Sequence, residues 1–269
     1  MIETAQHEQV TQIRMSRELD GQPVYWVAGY LVDGLLIDTG CSHTSAELAD
    51  FLEDRGVRQA VNTHYHEDHM GGNHDLMTRY GIEVFAHPSS IPLIAGRFEL
   101  YPYQEIAWGY PVPTTVKAIS DAVHTDRLSF QVLETPGHCE GHICLFEPEK
   151  GWCFTGDLFA RENPKFIRPE ENIGQIMGSM QRLIHLPTEQ LVLFTAVGKV
   201  IQDGRKALRE CVTYLEGLAE QVQGLHSSGS SAEEIVKDLF GGEHPFAGLT
   251  NAQFSTGNLV RSLLETVHL

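Results

Sequence analysis

Apolar and polar positions in the first third of the chain fall into short runs that read alternately as strands and helices. The segments PVYWVAGYLV and GLLIDTG are rich in β-branched and aromatic residues, and the glycines between them suit a turn. Thr44 to Glu47 reads as a capping box that opens a helix, with Leu48, Phe51 and Leu52 on one side. VRQAVNTH follows as a short buried strand, GGNHDLMTRYG as a helix and IEVFAHP as another strand. This alternation predicts mixed α/β layers.

The period is lost from Pro88 to Val123. PYQEIAWGYPVPTTV carries prolines and aromatics at neither period 2 nor period 3.6, and a long irregular segment inside a compact domain is commonly functional or mobile. It reads as a wall or lid over a pocket, the alternative being a packed structural excursion. Tyr101, Tyr103, Trp108 and Tyr110, joined by Phe159, are the expected apolar substrate wall.

Strand patterns return at LSFQVLETPGH, HICLFEPEKG and WCFTGD, the last two joined by a polar, Gly-ended turn as in a hairpin. Ile173, Ile176, Met177, Met180, Leu183 and Ile184 recur at helical spacing. A short strand, LVLF, precedes a long helix with Leu208, Cys211, Val212, Leu215, Leu218, Ala219 and Val222 on one stripe, read as core. HSSGSS is linker-like. Ser231 to Glu234 is a second capping box leading into Ile235, Val236 and Leu239, and a final helix carries Leu259, Val260, Leu263 and Leu264. The expected division is a main domain over 1–225 and a small helical appendage over 226–269.

Composition narrows the classes. The 269 residues, 42% of them hydrophobic, suffice for one large domain or a main domain with an appendage. A formal charge of -17 argues against nucleic acid as a partner, which needs clustered Lys and Arg. A metal site could still lend local positive charge to such a substrate. The N-terminal MIETAQHEQVTQIRM shows no basic region followed by an apolar run, and no apolar stretch approaches the roughly 18 residues of a membrane span. Five cysteines (Cys41, Cys139, Cys144, Cys153, Cys211) sit mostly inside apolar runs, as reduced, packed thiols do. These features together predict a cytoplasmic protein with a small-molecule substrate, away from membranes, with homodimerisation through the C-terminal helices left open.

The chemistry concentrates in THYHEDHMGG, Thr63 to Gly72, where His64, His66, Asp68 and His69 are spaced H-x-H-x-D-H. In an extended strand end, residues i and i+2 share a face, so His64 and His66 can point the same way. If the chain then turns into a helix, Asp68 and His69 point at a neighbouring spot. Gly71 and Gly72 remove side chains where the backbone must pass close to the site.

This pattern resembles the metallo-β-lactamase superfamily, and the resemblance continues past the one motif. LIDTG (Leu36 to Gly40) matches the strand end before the cluster, TPGH (Thr135 to His138) the next ligand turn, and FTGD (Phe154 to Asp157) the ligand after a later strand. Order and spacing agree over about residues 20–225. The resemblance implies an α/β fold, a four-layer αββα sandwich, here with the C-terminal helices appended. It also implies that His64, His66 and His138 hold a first metal, that Asp68 and His69 belong to a second, and that Asp157 bridges the two. Three neutral imidazoles with an open position suit catalytic zinc, and a metal pair can share a hydroxide and polarise a substrate oxygen. Asp38 would orient the ligands from behind. His142 matches a frequent non-ligand histidine of the family, and His43, His74, His87 and His185 read as structural.

One position departs from the pattern. The superfamily usually supplies a last second-site histidine in a GHG-like turn, where this chain reads LVLFTAVGKV and places Val197. Valine cannot bind a metal. Glu140 also stands where many members have proline. The function expected is a metal-dependent hydrolase using a metal-bound hydroxide on a small ester, thioester, lactone or phosphoester, with Asp68 as the catalytic proton carrier and one or two zinc ions. Two alternatives remain open. His64, His138 and Asp157 could form the two-His-one-carboxylate face of a mononuclear non-haem iron dioxygenase of the persulfide type, and iron or manganese would then replace zinc. A degraded site could instead serve a non-catalytic metal- or ligand-binding protein.

Overall fold

The structure, a computed structural model, describes residues 1–97 and 99–266. Strands β1 (Ile2–His7) and β2 (Val10–Met15) open the chain as a hairpin, and β3 (Glu18–Leu19) pairs with β4 (Gln22–Pro23) in a small separate ribbon. With β5 (Val27–Val32), β6 (Leu35–Ile37), β7 (Gln59–Val61), β8 (Glu83–Ala86) and β9 (Lys117–Ala118), a sheet forms in the order β1-β2-β5-β6-β7-β8-β9. A second sheet runs in sequence order through β10 (Ala122–His124), β11 (Ser129–Glu134), β12 (Ile143–Glu147), β13 (Trp152–Phe154), β14 (Val192–Phe194) and β15 (Val200–Ile201).

Helices carry the parallel crossovers. In the first sheet, α1 (Ser45–Leu52) lies between β6 and β7, while α2 (Glu67–Met70) and α3 (Asn73–Tyr80) lie between β7 and β8. The 88–123 segment forms two short helices, α4 (Ile91–Ile94) and α5 (Pro102–Ala107), together with β9. Next come α6 (Ile173–Ile184), α7 (Gly204–Ser227), α8 (Ala232–Phe240), α9 (Pro245–Leu249) and α10 (Thr256–Glu265).

The period-2 pattern of the strands divides the interior into three cores, and these define four layers. Val27, Leu31, Leu36 and Ala60 face α1 and α3, where Leu48, Leu52 and Leu76 meet them. Their neighbours Tyr30, Val32, Leu35, Ile37 and Val61 face the other way, onto Phe130, Leu145, Phe154 and Phe194 of the second sheet. Cys144, Phe146, Cys153 and Leu193 turn to the far side and pack beneath α6 and α7. The result is an αββα sandwich, as the resemblance implied. Phe154 and Phe194 stack at 4.8 Å between centroids, and truncating either to alanine would cost about 3–5 kcal/mol.

The helices of the 226–269 segment share the core of α6 and α7 through Ile235, Val236, Leu259, Val260 and Leu263. The second capping box forms as expected, with Ser231 N–H on Glu234 at 2.8 Å and Glu234 N–H on Ser231 Oγ at 3.2 Å. The first does not form. A 3-10 turn, Ser42–Thr44, runs straight into α1, so Thr44 takes φ -115, ψ 5 in place of an extended N-cap, and its hydroxyl donates to Cys41 O at 3.1 Å. The β1–β2 hairpin is also absent from the sequence reading. As an edge strand, β1 leaves its middle residues exposed on both faces, so alternation is lost. All five cysteines are free and buried. Among the described residues no helix is long and apolar enough to cross a membrane.

Candidate metal centre

The sequence-predicted donors come together where strands of both sheets end. Asp38 follows β6, His64 and His66 follow β7, and His138 follows β11. Asp157 lies in the 3-10 turn Gly156–Leu158 after β13, and Val197 follows β14. Parallel pairing sets Phe154 beside Phe194, so β13 and β14 deliver Asp157 and Val197 to the same end of the sheet. Asp68 and His69 come from the single turn of α2. The two glycines after it are required by contact. A Cβ on Gly71 would sit 2.3 Å from Ser42 N, and one on Gly72 would sit 2.6 Å from Thr39 O.

Three imidazole nitrogens converge. His66 Nδ1 lies 3.0 Å from His64 Nε2 and 3.0 Å from His138 Nε2. The opposite ring nitrogens show which way the lone pairs point. Thr63 Oγ1 donates to Asp38 Oδ2 at 2.9 Å, which leaves its oxygen to accept from His64 Nδ1 at 3.0 Å. Glu171 Oε1 accepts from His138 Nδ1 at 2.6 Å, and Glu170 Oε1 faces His66 Nε2 at 4.0 Å. The outer nitrogens of His64 and His138 therefore carry the proton, and their lone pairs are directed at His66 Nδ1. A shared cation satisfies that arrangement, and donors about 3.3 Å apart are what a tetrahedral ion with bonds of about 2.0–2.1 Å requires. Burial, then the positive neighbours, holds His64 and His66 well below the usual imidazole range, which keeps them neutral as ligands must be. Burial also opposes charge on His138, but the Glu171 carboxylate outweighs it and raises the pKa.

A second group lies alongside. His69 Nε2 stands 3.6 Å from Asp157 Oδ1 and 3.7 Å from Asp68 Oδ2, while Asp157 Oδ2 lies 3.4 Å from His138 Nε2. One carboxylate thus turns an oxygen to each group. Asp38 Oδ2 fixes His69 by accepting from Nδ1 at 2.8 Å, and Asp38 itself is held at φ 59, a strained conformation for a residue with a Cβ. His69 Nε2 and Asp68 Oδ1 are buried without any hydrogen-bond partner. Orphaned polar atoms of this kind fit a metal ion. Burial pushes Asp68 up to about 6 against the pull of His69. Burial would lower His69, yet Asp38, Asp68 and Asp157 together raise it well above its usual range. This corner of the site favours a positive charge.

The sequence reading missed two residues. Glu171 and Arg168 lie in the loop before α6, where IRPEENIG shows no motif. The loop is tied to α10: Asn258 Nδ2 donates to Ile167 O at 3.1 Å, and Ser262 Oγ accepts from Ile173 N–H at 2.9 Å. Arg168 lines a cavity of about 110 Å³ together with Asp68, His69, His138, Asp157 and Val197. His142 takes a structural part. Its Nε2 accepts the Asp157 N–H at 3.1 Å and its Nδ1 meets Thr135 Oγ1 at 2.8 Å, while burial pushes its pKa down to about 3. Cys139 Sγ lies within 4.8 Å of the three converging nitrogens, and burial raises its thiol well above the usual range.

The expected aromatic wall is corrected. Trp108 lines the cavity, but Tyr101 and Tyr110 are exposed and Phe159 is packed in the core beneath α6 and α7. Tyr103 packs behind Trp108 and Phe254 at 6.0 Å. The actual wall is Tyr25, Trp108, Phe166 and Phe254. Three of these come from segments with no periodic signal to place them.

The fold and this donor set define a class, and comparison with known proteins identifies it. The family model of the metallo-beta-lactamase superfamily matches residues 25–195. The chain belongs to that superfamily. A hydroxyacylglutathione hydrolase of Pelagibacter ubique is 29% identical over 140 residues, 51% of this chain and 51% of that protein. The lactamase-like protein aptB of Emericella nidulans is 26% identical over 223 residues, 77% of this chain and 64% of that protein. The match thus spans about half the length of the hydroxyacylglutathione hydrolases. A beta-lactamase domain protein from Burkholderia ambifaria superposes with a TM-score of 0.67 at 18% identity, over 98% of this chain and 83% of that one, which shows the shared fold.

Proposed function

We propose that the chain is a metal-dependent hydrolase, with zinc at the first group and a small thioester or ester as substrate. The convergence of three buried imidazole nitrogens beside an open cavity carries this reading. His64 Nε2, His66 Nδ1 and His138 Nε2 would hold the first ion, with Asp68, His69 Nε2 and the shared Asp157 offering a second place. A divalent ion bound there supplies Lewis acidity and an activated water near neutral pH.

The protein's own groups do the rest. Asp68 Oδ1, buried and without a partner, can take a proton from the attacking water and return it to the leaving thiolate or alkoxide. Glu171 and Thr63 fix the rings of His138 and His64 in one tautomer and orientation. Trp108 and Phe254 shed water from the cavity side. The name of the Pelagibacter relative supports a thioester over the other acyl classes.

Elemental analysis of protein expressed without added metal, paired with hydrolysis of a hydroxyacylglutathione thioester before and after chelation, tests the proposal. Zinc and chelator-sensitive thioester cleavage are expected. Iron together with oxygen uptake on a glutathione persulfide would replace this reading with the dioxygenase one.

A further inference from the structure

Arg168 has a guanidinium with an unusual lack of partners. The residue is 5% exposed, yet its side chain donates no hydrogen bond to any described residue, and its Nε is fully buried and unsatisfied. The nearest carboxylate oxygens are Glu170 Oε1 at 3.8 Å and Glu67 Oε1 at 4.0 Å, both too far for hydrogen bonds. Glu67 Oε1 is already engaged by Gln104 Nε2 at 2.7 Å. These acids, with Asp68, keep the guanidinium charged but leave its donors free. Burial of a guanidinium whose N–H donors are left without acceptors is costly unless something else completes them.

The direction of the side chain shows where that partner would sit. Arg168 lines the same cavity as His138, Asp157 and Val197, and its Cζ stands 5.0 Å from the ring centroid of Phe254 and 6.0 Å from that of Trp108. Arg161 also lines the cavity, over Phe166 at 4.5 Å, and has no ion pair among the described residues. Asp68, Asp157 and Glu171 share this lining, and Arg168 and Arg161 are its two guanidinium groups, the places where an anionic group would find a charged donor.

We propose that Arg168 is an oxyanion seat, so that the substrate of the hydrolytic site carries a carboxylate or phosphate group. The guanidinium fork pairs with two oxygens of that group, Trp108 and Phe254 flank the connecting chain, and the scissile acyl centre lies toward Asp68. Arg168 is then a specificity residue whose contribution is to binding. The inference rests on the hydrolase reading for its kinetics but has a separate binding test.

Three thioesters of one thiol, ending in a free carboxylate, a phosphate monoester or a methyl ester, are assayed on the zinc-loaded full chain. At least one anionic member is expected to exceed the methyl ester in kcat/KM by about tenfold or more, mostly through KM. Which anion leads separates carboxylate from phosphate. Arg168→Met should bring the ratio close to 1, and Arg168→Lys should restore part of it. A wild-type ratio near 1, or a ratio that Arg168→Met leaves intact while both rates fall, overturns the seat. If Arg168→Met does not fold, Arg168→Lys decides alone: a ratio cut several-fold supports the seat and an unchanged one overturns it. If the wild type cleaves none of the three, the thioester reading fails, and calorimetric titration with succinate and inorganic phosphate decides the seat. Weaker binding to the variant by about tenfold supports it, and equal affinity overturns it.

Discussion

The two donor groups lie side by side and share Asp157, yet they are finished to different degrees. In the first, the outer nitrogens of His64 and His138 are hydrogen-bonded and that of His66 faces a carboxylate. In the second, Asp38 fixes His69, but Asp68 Oδ1 has no partner, and Val197 on the same cavity lining carries no donor atom in its side chain. The first group stands on strand ends and the second mainly on the turn of α2, with Asp157 common to both. The difference lies in one side chain and in how many ligands are oriented before a metal arrives. We expect the first group to retain its ion through dialysis and the second to exchange.

The largest effect that could break this contrast is loss of a first-group ligand. A structural zinc ion gains about 10–16 kcal/mol from four donors, so one donor is worth roughly 3 kcal/mol. His66→Ala should therefore weaken the first ion by about a hundred- to a thousandfold and remove measurable turnover. Competition with a chromophoric chelator reads the affinity. Full retention of one tightly held ion in His66→Ala would mean that the tight site is the second group.

Next in size is the support behind the ligands. Glu171→Ala leaves His138 in place but frees its ring, and such losses typically cost about 10- to 100-fold in affinity. The chelator assay should show this drop with the fold intact by circular dichroism. An unchanged affinity would make the 2.6 Å contact incidental and would weaken the claim that orientation distinguishes the groups.

These supports also mark the limit of what the sequence could reveal. His64, His66, Asp68 and His69 were legible from their H-x-H-x-D-H spacing after a strand, and His138 and Asp157 from the resemblance of TPGH and FTGD to the superfamily's ligand turns. Glu171 and Arg168 were not, because their loop has no period of its own and is positioned by Asn258 and Ser262 of a helix almost ninety residues later. Phe254 reaches the cavity for the same tertiary reason. The central strands flanked by two apolar cores, β5 and β12 among them, were easy to read, whereas β1, solvated on both faces, offered no alternation, and its partner β2 was missed with it. Thr44 shows the opposite failure: the right residues for a capping box stood in sequence, but the preceding 3-10 turn took the extended N-cap conformation away.

Val197→His sharpens the comparison by trying to finish the second group. The side chain lines the cavity with His69 and Asp157, so an imidazole there adds the absent donor. Second-site affinity should rise by at least about tenfold, and the metal-to-protein ratio should move from near one toward two. Two ions bound before and after the change would mean that another group already supplies the donor.

The smallest expected effect concerns the floor beneath both groups. His142 accepts the N–H of the shared Asp157 and is buried neutral, with its pKa pushed down to about 3 from an ordinary 6.5. The unfolded chain binds a proton at this residue below about 6.5 and the folded chain does not, so stability rises with pH across that window and falls on acidification. For His142 alone the loss between pH 7 and pH 6 is roughly 0.7 kcal/mol. His69 and His138 are raised and act with the opposite sign: their contribution is present below the unfolded value and is lost as pH rises. The wild type is therefore best compared with His142→Gln, both freed of metal, by urea unfolding at the two pH values. The variant should lose less stability on acidification. An equal or larger loss would mean that His142 takes up its proton without leaving the fold, and that Asp157 keeps its place by other means.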